Sequence, residues 1–364
     1  MRGVMTITAE QRRAQILDAV RELGTVRVVD LAERIGMAPV TVRRDVAFMA
    51  DSGLLRRSHG AVSLPRDERS SAAAPGRELV VGMLVPTVGS YFDEVIDGAR
   101  RAAAAAGARL VLGIASYESG EDIAQVEQLL DAGLNGMLLT PNWRPDTDDA
   151  DGADAAWLRE LPVPAVLTER IAPPQSAAAA LDSVGSDHHH GVLLALRHLR
   201  SLGHESVALV ARQDSWTSHQ VRVGYAEGVR LLGLEPYPVI DVKRPSLDSD
   251  AVAARVAEAV AGGVRAVLVH NDQEAIQLTP LLRARGLRAP DDVALISYDD
   301  VFAALAAPPL TAVSPPKRAV GAAALDLLIR RLGEGDNLPV HHVRLLPELK
   351  IRTSCGGGTG AESR

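Results

Sequence analysis

At 364 residues the chain exceeds one ordinary domain, and 47 % hydrophobic against 23 % charged residues describes a globular protein able to bury a core. One cysteine, Cys355, excludes an intramolecular disulfide, there is no Cys/His spacing for zinc, and no apolar run approaches the ~18 residues of a membrane helix. The net charge of −7 is unevenly spread: residues 1–65 hold 10 Arg and no Lys against 7 acidic residues, whereas the remainder holds 29 basic against 39 acidic. A basic head on an acidic body is the asymmetry expected when only the head meets phosphates.

The N-terminus carries no basic-then-apolar signal pattern, so the cytoplasm is the expected compartment. Thr8 and Gln11 form a capping-box pattern, followed at helical spacing by Ile16, Leu17, Val20 and Leu23 up to Gly24. A second helix fits Val28 to Ile35, with Leu31 and Ile35 inward, before a turn at Gly36. Pro39 suits the first position of a third helix, about Val40 to Asp51. Val42, Val46 and Met49 form its buried stripe; Val40, Thr41, Arg43, Arg44 and Ala47 fall opposite. That small, basic face suits a major groove, where Arg reads guanine edges and Thr a thymine methyl. Whether Asp45 occupies one of the two arginines stays open. After Gly53, Leu54 to Val62 reads as a hairpin with Arg56, Arg57 and His59 near its tip. Ser63 to Arg77 lacks apolar periodicity, which sets a head at 1–65 and a linker at 66–77.

From Leu79 onward short apolar runs alternate with Ala-rich helices. Strands are expected at Val80–Val85, Leu110–Leu112, Gly136–Leu139, Ala165–Leu167, Val207–Val210, Ala266–Val269 and Val293–Ile296. Helices are expected at Phe92–Ala106, Ile123–Ala132, His190–Ser201, Gln220–Leu232, Ala251–Ala261 and Glu274–Arg285. This is an α/β pattern with doubly wound parallel sheets, whose ligands bind beyond the carboxyl ends of the strands. The loops there carry Ser90-Tyr91-Phe92, Thr140-Pro141-Asn142-Trp143, Thr168-Glu169-Arg170, Gln213-Asp214-Ser215-Trp216, Asn271-Asp272 and Ser297-Tyr298-Asp299-Asp300. Carboxylates, an arginine and aromatic faces are what polyol recognition requires. Asp272, Asp299 or Asp300 could instead cap a following helix, and Asp300 is assigned that structural part; Tyr298 and Phe92 could be core. No G-x-S-x-G turn or P-loop appears, so no enzyme, catalytic residue or cofactor is expected. Three adjacent histidines, His188-His189-His190, point in different directions on a helix and are not assigned a metal.

Residues 10–62 resemble the DeoR-family winged helix-turn-helix head, through Thr41-Val42-Arg43-Arg44-Asp45 and Arg57-Ser58-His59-Gly60-Ala61. Residues 79–354 resemble the LacI/GalR family, which shares the two-lobed periplasmic-binding-protein fold. That likeness rests on Val80 to Pro86, Val184 to His188, His198 to His204, Asn271-Asp272, Pro290 to Val293, Tyr298 to Asp300, Pro308 to Thr311 and Pro347 to Leu349. It implies DNA contacts from Val40, Thr41, Arg43, Arg44, Arg56, Arg57 and His59. It implies effector contacts from Tyr91, Phe92, Glu169, Trp216, Arg222, Asp272 and Asp299. The family often has Asp where Glu169 stands, and usually two residues, here only Val223, between its contact Arg and the Gly-aromatic pair. The effector domain is expected at 78–355, with lobe one at about 78–182 and 314–333, lobe two at 184–312 and 334–355, and a tail at 356–364. The expected protein is a cytoplasmic, homodimeric transcription regulator without membrane contact. It would be a repressor released from double-stranded operator DNA by a sugar or related polyhydroxylated molecule. A non-sugar effector is the alternative, and a sugar-processing enzyme a more distant one.

Overall fold

The structure is a computed structural model describing residues 12–13, 15–16, 19–20, 26–35, 37–51, 55–58, 61–63, 78–88, 91–115, 122–143, 156–243, 245 and 247–357. The capping box at Thr8 and Gln11, Leu17, Leu23, Gly24, Gly36, Gly53, Leu54, His59, Ser90, the linker 66–77 and the tail beyond residue 357 lie outside the described residues. The chain divides into two compact units, Met1–Arg77 and Glu78–Arg364.

In the first unit, helical positions between 12 and 20 form α1, followed by β1 (Val26–Arg27), α2 (Val28–Ile35) and α3 (Pro39–Asp51). Strands β2 (Arg56–Ser58) and β3 (Ala61–Ser63) make the expected hairpin, Arg57 opposite Val62. The two-residue β1 adds antiparallel to β3, a strand too short to leave a period in the sequence. Ile16, Val20, Leu31, Val42, Val46, Met49, Leu55 and Val62 form one apolar core. Ile35 is only partly buried at its edge.

The second unit holds two six-stranded sheets. The first is built from β4 (Leu79–Val85), β5 (Ala108–Ile114), β6 (Gly136–Leu139), β7 (Ala165–Thr168), β8 (Asp182–Ser186) and β14 (His342–Leu345), in the order β14-β8-β7-β6-β4-β5. One face carries α4 (Tyr91–Ala105) and α10 (Lys317–Glu334); the other carries α5 (Asp122–Leu130). The second sheet combines β9 (Ala208–Arg212), β10 (Ile240–Val242), β11 (Ala266–His270), β12 (Ala294–Tyr298), β13 (Thr311–Ser314) and β15 (Glu348–Lys350), ordered β10-β9-β11-β12-β13-β15. Helices α6 (His188–Ser201) and α7 (Trp216–Leu232) cover one of its faces, and α8 (Ser249–Ala261) and α9 (Asp272–Ala284) the other. Among the described residues of this unit the strand pairings are parallel except β13 with β15, so the expected pair of parallel sheets carries an antiparallel edge.

Two expectations need correction. Residues 334–355 do not belong wholly to lobe two: β14 pairs with β8 in the first sheet, and only β15 joins the second. The chain therefore crosses between sheets three times, after β8, after β13 and between β14 and β15. Helices also start earlier than the apolar pattern suggests. Ser215 caps α7 by accepting from Ser218 N at 3.2 Å, which puts Trp216, not Gln220, at its first position. Asp187 does the same for α6 through His190 N at 2.9 Å. A polar first turn has no apolar period to announce it.

Helices α4 and α10 approach so closely that each presents a glycine to the other. A Cβ on Gly98 would stand 2.0 Å from the Arg318 carbonyl oxygen, and one on Gly321 would stand 1.9 Å from that of Val95. Helix propensity alone favours alanine over glycine by about 1 kcal/mol. The backbone collision should reverse that sign, so Gly98→Ala and Gly321→Ala are each expected to destabilise by about 1–3 kcal/mol. Urea unfolding of the two variants checks this, and a gain in stability would contradict the close packing.

Candidate functional site

On α3 the inward stripe of Val42, Val46 and Met49 is fully buried, while Val40 is 71 % exposed and Arg43 and Arg44 are exposed beside it. Asp45 lies on the buried side and answers the open question about those arginines. Its carboxylate takes Arg12 and Arg13 of α1, the second at 3.2 Å. Burial works against its charge, but the two arginines outweigh it and hold the carboxyl below its ordinary range. The same Arg13 guanidinium sits 3.7 Å from the ring centre of Phe48. The ion pairs thus fasten α1 to α3 and leave the Arg43–Arg44 face outward. Arg56 and Arg57 lie on β2 of the hairpin.

In the second unit a cavity of about 320 Å³ opens at the carboxyl ends of the strands, between the two sheets. Thr87, Val88, Tyr91 and Phe92 line it from the first sheet, following β4. Arg212, Ser215, Thr217, His270, Asn271, Gln273 and Asp299 line it from the second, at the ends of β9, β11 and β12. Tyr91 and Phe92 meet edge to face, ring centres 5.4 Å apart.

Of the seven residues expected at the effector, Tyr91, Phe92 and Asp299 line this cavity and four do not. Glu169 stands behind Tyr91 and accepts from the Tyr91 hydroxyl at 2.7 Å, from Ser186 Oγ at 2.9 Å and from Ser186 N at 3.0 Å. Asp272 is 2 % exposed and accepts from Ser297 Oγ at 2.5 Å, Val301 N at 2.6 Å and Phe302 N at 3.0 Å. It borders a smaller adjoining recess and fixes the loop after Asp299. Burial raises its pKa; the three hydrogen bonds oppose the rise. Arg222 points to the strand ends, donating to the Arg212 carbonyl at 2.9 Å and pairing with Asp241 at 2.9 Å. Trp216 is 6 % exposed and packs edge-on against Trp143 at 5.5 Å, with the apolar core of the first sheet. It is an inter-lobe contact, which its place in a polar-looking segment concealed. Asp300, assigned a structural part, pairs with Arg352 at 2.8 Å.

Among the described lining residues, His270 and Asp299 each carry a buried polar atom without a hydrogen-bond partner, Nδ1 and Oδ1. Burial, reinforced by His188 and two arginines, pushes the His270 imidazole down to about 3, so it is uncharged at neutral pH. Burial and the neighbouring Asp272 push the Asp299 carboxyl up to about 7, against the pull of Lys317 and Asn271. His188 links the two sheets behind them, its Nδ1 3.1 Å from the Tyr298 hydroxyl and its Nε2 3.8 Å from Glu169. His270, Gln273, Arg212, Thr87, Val88 and Thr217 were not singled out in the sequence. Their shared signal is position, each within five residues of a strand's carboxyl end.

Comparison with known proteins matches residues 12–68 to a DeoR-like helix-turn-helix domain and residues 196–355 to a periplasmic binding protein-like domain. The HTH-type transcriptional regulator MalR of Streptomyces coelicolor is 27 % identical over 350 residues, covering 93 % of this chain and 99 % of that protein. The arabinose metabolism transcriptional repressor of Geobacillus stearothermophilus is 22 % identical and covers 89 % of both. Among solved structures, the transcriptional regulator CelR in complex with cellobiose is similar with a TM-score of 0.65 at 23 % identity, covering 95 % of this chain and 99 % of that one. CcpA of Lactococcus lactis has a TM-score of 0.64 at 21 % identity, over 76 % of this chain and 99 % of that one. The chain joins a DeoR-like helix-turn-helix domain to a periplasmic binding protein-like domain with the fold of LacI-family regulators.

Proposed function

We propose that this protein is a ligand-responsive DNA-binding transcription regulator, a repressor released from its operator by a polyhydroxylated small molecule. Residues 1–65 read DNA through the outer face of α3 and the hairpin, and residues 78–355 sense the effector. The observation that carries the reading is the inter-sheet cavity, whose lining joins the aromatic Tyr91 and Phe92 to His270 and Asp299, each of which has a buried polar atom without a partner. A buried polar group without a partner costs roughly 1–3 kcal/mol, which a ligand hydroxyl would recover. Its volume of about 320 Å³ lies at the small end of the range for ligand sites, about 300–1,000 Å³, and so suits a monosaccharide-sized molecule. The names of the relatives, among them regulators and an arabinose repressor, and the cellobiose bound to CelR support the same class. Tyr91, Phe92, Arg212, His270, Asn271, Gln273 and Asp299 form the proposed effector set, with Glu169 and Asp272 holding its walls. The protein acts in the cytoplasm as a homodimer, since one small head reads too few bases for useful affinity. Closure of the two sheets on the ligand would change how the pair of heads is presented.

Arg43→Ala and Arg44→Ala should each weaken operator binding, at least one of them by about 1–3 kcal/mol with relaxed base preference, and leave effector binding unchanged. Fluorescence anisotropy on operator DNA checks this, and normal binding by both variants would remove α3 from the interface. In the cavity, Asn271→Ala should lower effector affinity roughly fivefold, the equivalent of about 1 kcal/mol, with operator binding intact. Asp272→Ala should instead lower stability by on the order of 3 kcal/mol, because it strips a buried network of its charged acceptor. Calorimetric titration together with thermal melting distinguishes the two variants. Equal ligand loss in both, with no change in melting, would return Asp272 to the binding set.

A further inference from the structure

The cavity wall is uneven in charge. Asp299 lines the cavity, is 7 % exposed and held at φ 92°, and carries a buried Oδ1 without a hydrogen-bond partner. Lys317, which does not line the cavity, pulls the Asp299 pKa down only in part against burial and Asp272; its Nζ donates to the Asp299 main-chain carbonyl, lies 5.6 Å from the Tyr91 ring centre and is shared with Glu94 Oε1 at 3.7 Å. Arg212 lines the cavity, but its guanidinium is engaged by Asp214 through two bonds of 2.8 Å. Asn271, Gln273, Ser215, Thr217 and Thr87 are neutral, and the His270 imidazole is held uncharged. Behind this wall stand two further carboxylates, Asp272 and Glu169.

We propose that the cavity admits an uncharged polyol and rejects its phosphorylated or carboxylated forms, with Asp299 as the discriminating residue. This rests on the reading of the cavity as the effector site and adds the ligand's charge. A hydroxyl donates to Asp299 Oδ1 and relieves a buried acceptor. A phosphate or carboxylate oxygen has no proton to donate and meets a carboxylate that is itself only 7 % exposed. Among the described lining residues the only cation to answer it is the one already paired with Asp214. Water cannot screen such a contact as it does at a surface. The raised pKa of Asp299 is the same effect seen from the protein's side: the site resists one negative charge and resists a second more strongly.

The test uses the full-length protein and matched pairs of probes: glucose with glucose 6-phosphate, ribose with ribose 5-phosphate, and galactose with galacturonate. Binding is read at pH 8 by calorimetric titration and by the fluorescence of Trp143 and Trp216. The neutral member of at least one pair is expected to bind, and its anion on the order of a hundredfold more weakly or not at all. Asp299→Asn keeps the shape and tolerates the left-handed backbone, so it should fold, as a cooperative melt will verify. It should narrow the ratio between neutral and anionic members by tenfold or more while the neutral ligand still binds. An anion that binds as well as or better than its neutral partner overturns the inference and leaves the effector reading standing. An unchanged ratio in Asp299→Asn overturns the role of that residue. Binding by no member of any pair sinks the sugar reading itself, and the inference with it.

Discussion

A carboxylate taken out of water must be given hydrogen-bond donors or lose its charge, and that requirement organises both units of this chain. Asp45 takes two arginines from α1, and the helix bearing Arg43 and Arg44 is thereby held against its neighbour. Asp182 takes Arg331 through bonds of 2.8 and 3.0 Å and the main chain of His341 at 2.7 Å, tying the start of β8 to the end of α10. Glu169 and Asp272 take hydroxyls and main-chain amides around the cavity. Asp299, which lines the cavity, keeps one buried oxygen, Oδ1, without such a donor.

The wall of the cavity is therefore made in two layers. The front layer, Tyr91, Phe92, His270, Asn271 and Asp299, presents faces and polar atoms inward. The rear layer holds the front in place: Glu169 fixes the Tyr91 hydroxyl, and Asp272 fixes the loop following Asp299. His188, next to the first crossing between the sheets, touches both sides of this rear layer through Tyr298 and Glu169. Lys317 begins α10 just after the second crossing and binds the Asp299 carbonyl. Residues of the cavity wall are thus attached to the segments that join the two sheets, so a change in the wall has a short physical route to the crossings.

Much was legible in the sequence because burial writes itself as period and composition. The stripe of Val42, Val46 and Met49 determined the outward face of α3, and continuous apolar runs determined β4, β6, β7, β11 and the parallel class of the sheets. Turn and cap residues determined where α2 ends and α3 begins, with Pro39 at its first position. The strand-end rule pointed to the loops that line the cavity, and of the seven side chains expected there Tyr91, Phe92 and Asp299 line it.

Only the tertiary structure decided which residues of those loops line the cavity and which polar groups find partners in their own chain. Asp272 and Asp299 look alike in sequence, each an acidic residue just past an apolar strand. One finds three donors within its own lobe and the other leaves Oδ1 without any. Trp216 looks like a ligand platform until Trp143, 73 positions earlier, is seen to receive it. Arg222 looks like a binding arginine until the carbonyls at the end of β9 claim it. The physical reason is common to all three: a period records whether a side chain is buried, but a polar group's role depends on the partner brought to it from elsewhere in the chain. That partner is fixed by the packing of helices and loops on the sheets, within a lobe for Asp272 and Arg222 and between lobes for Trp216, which no local pattern records.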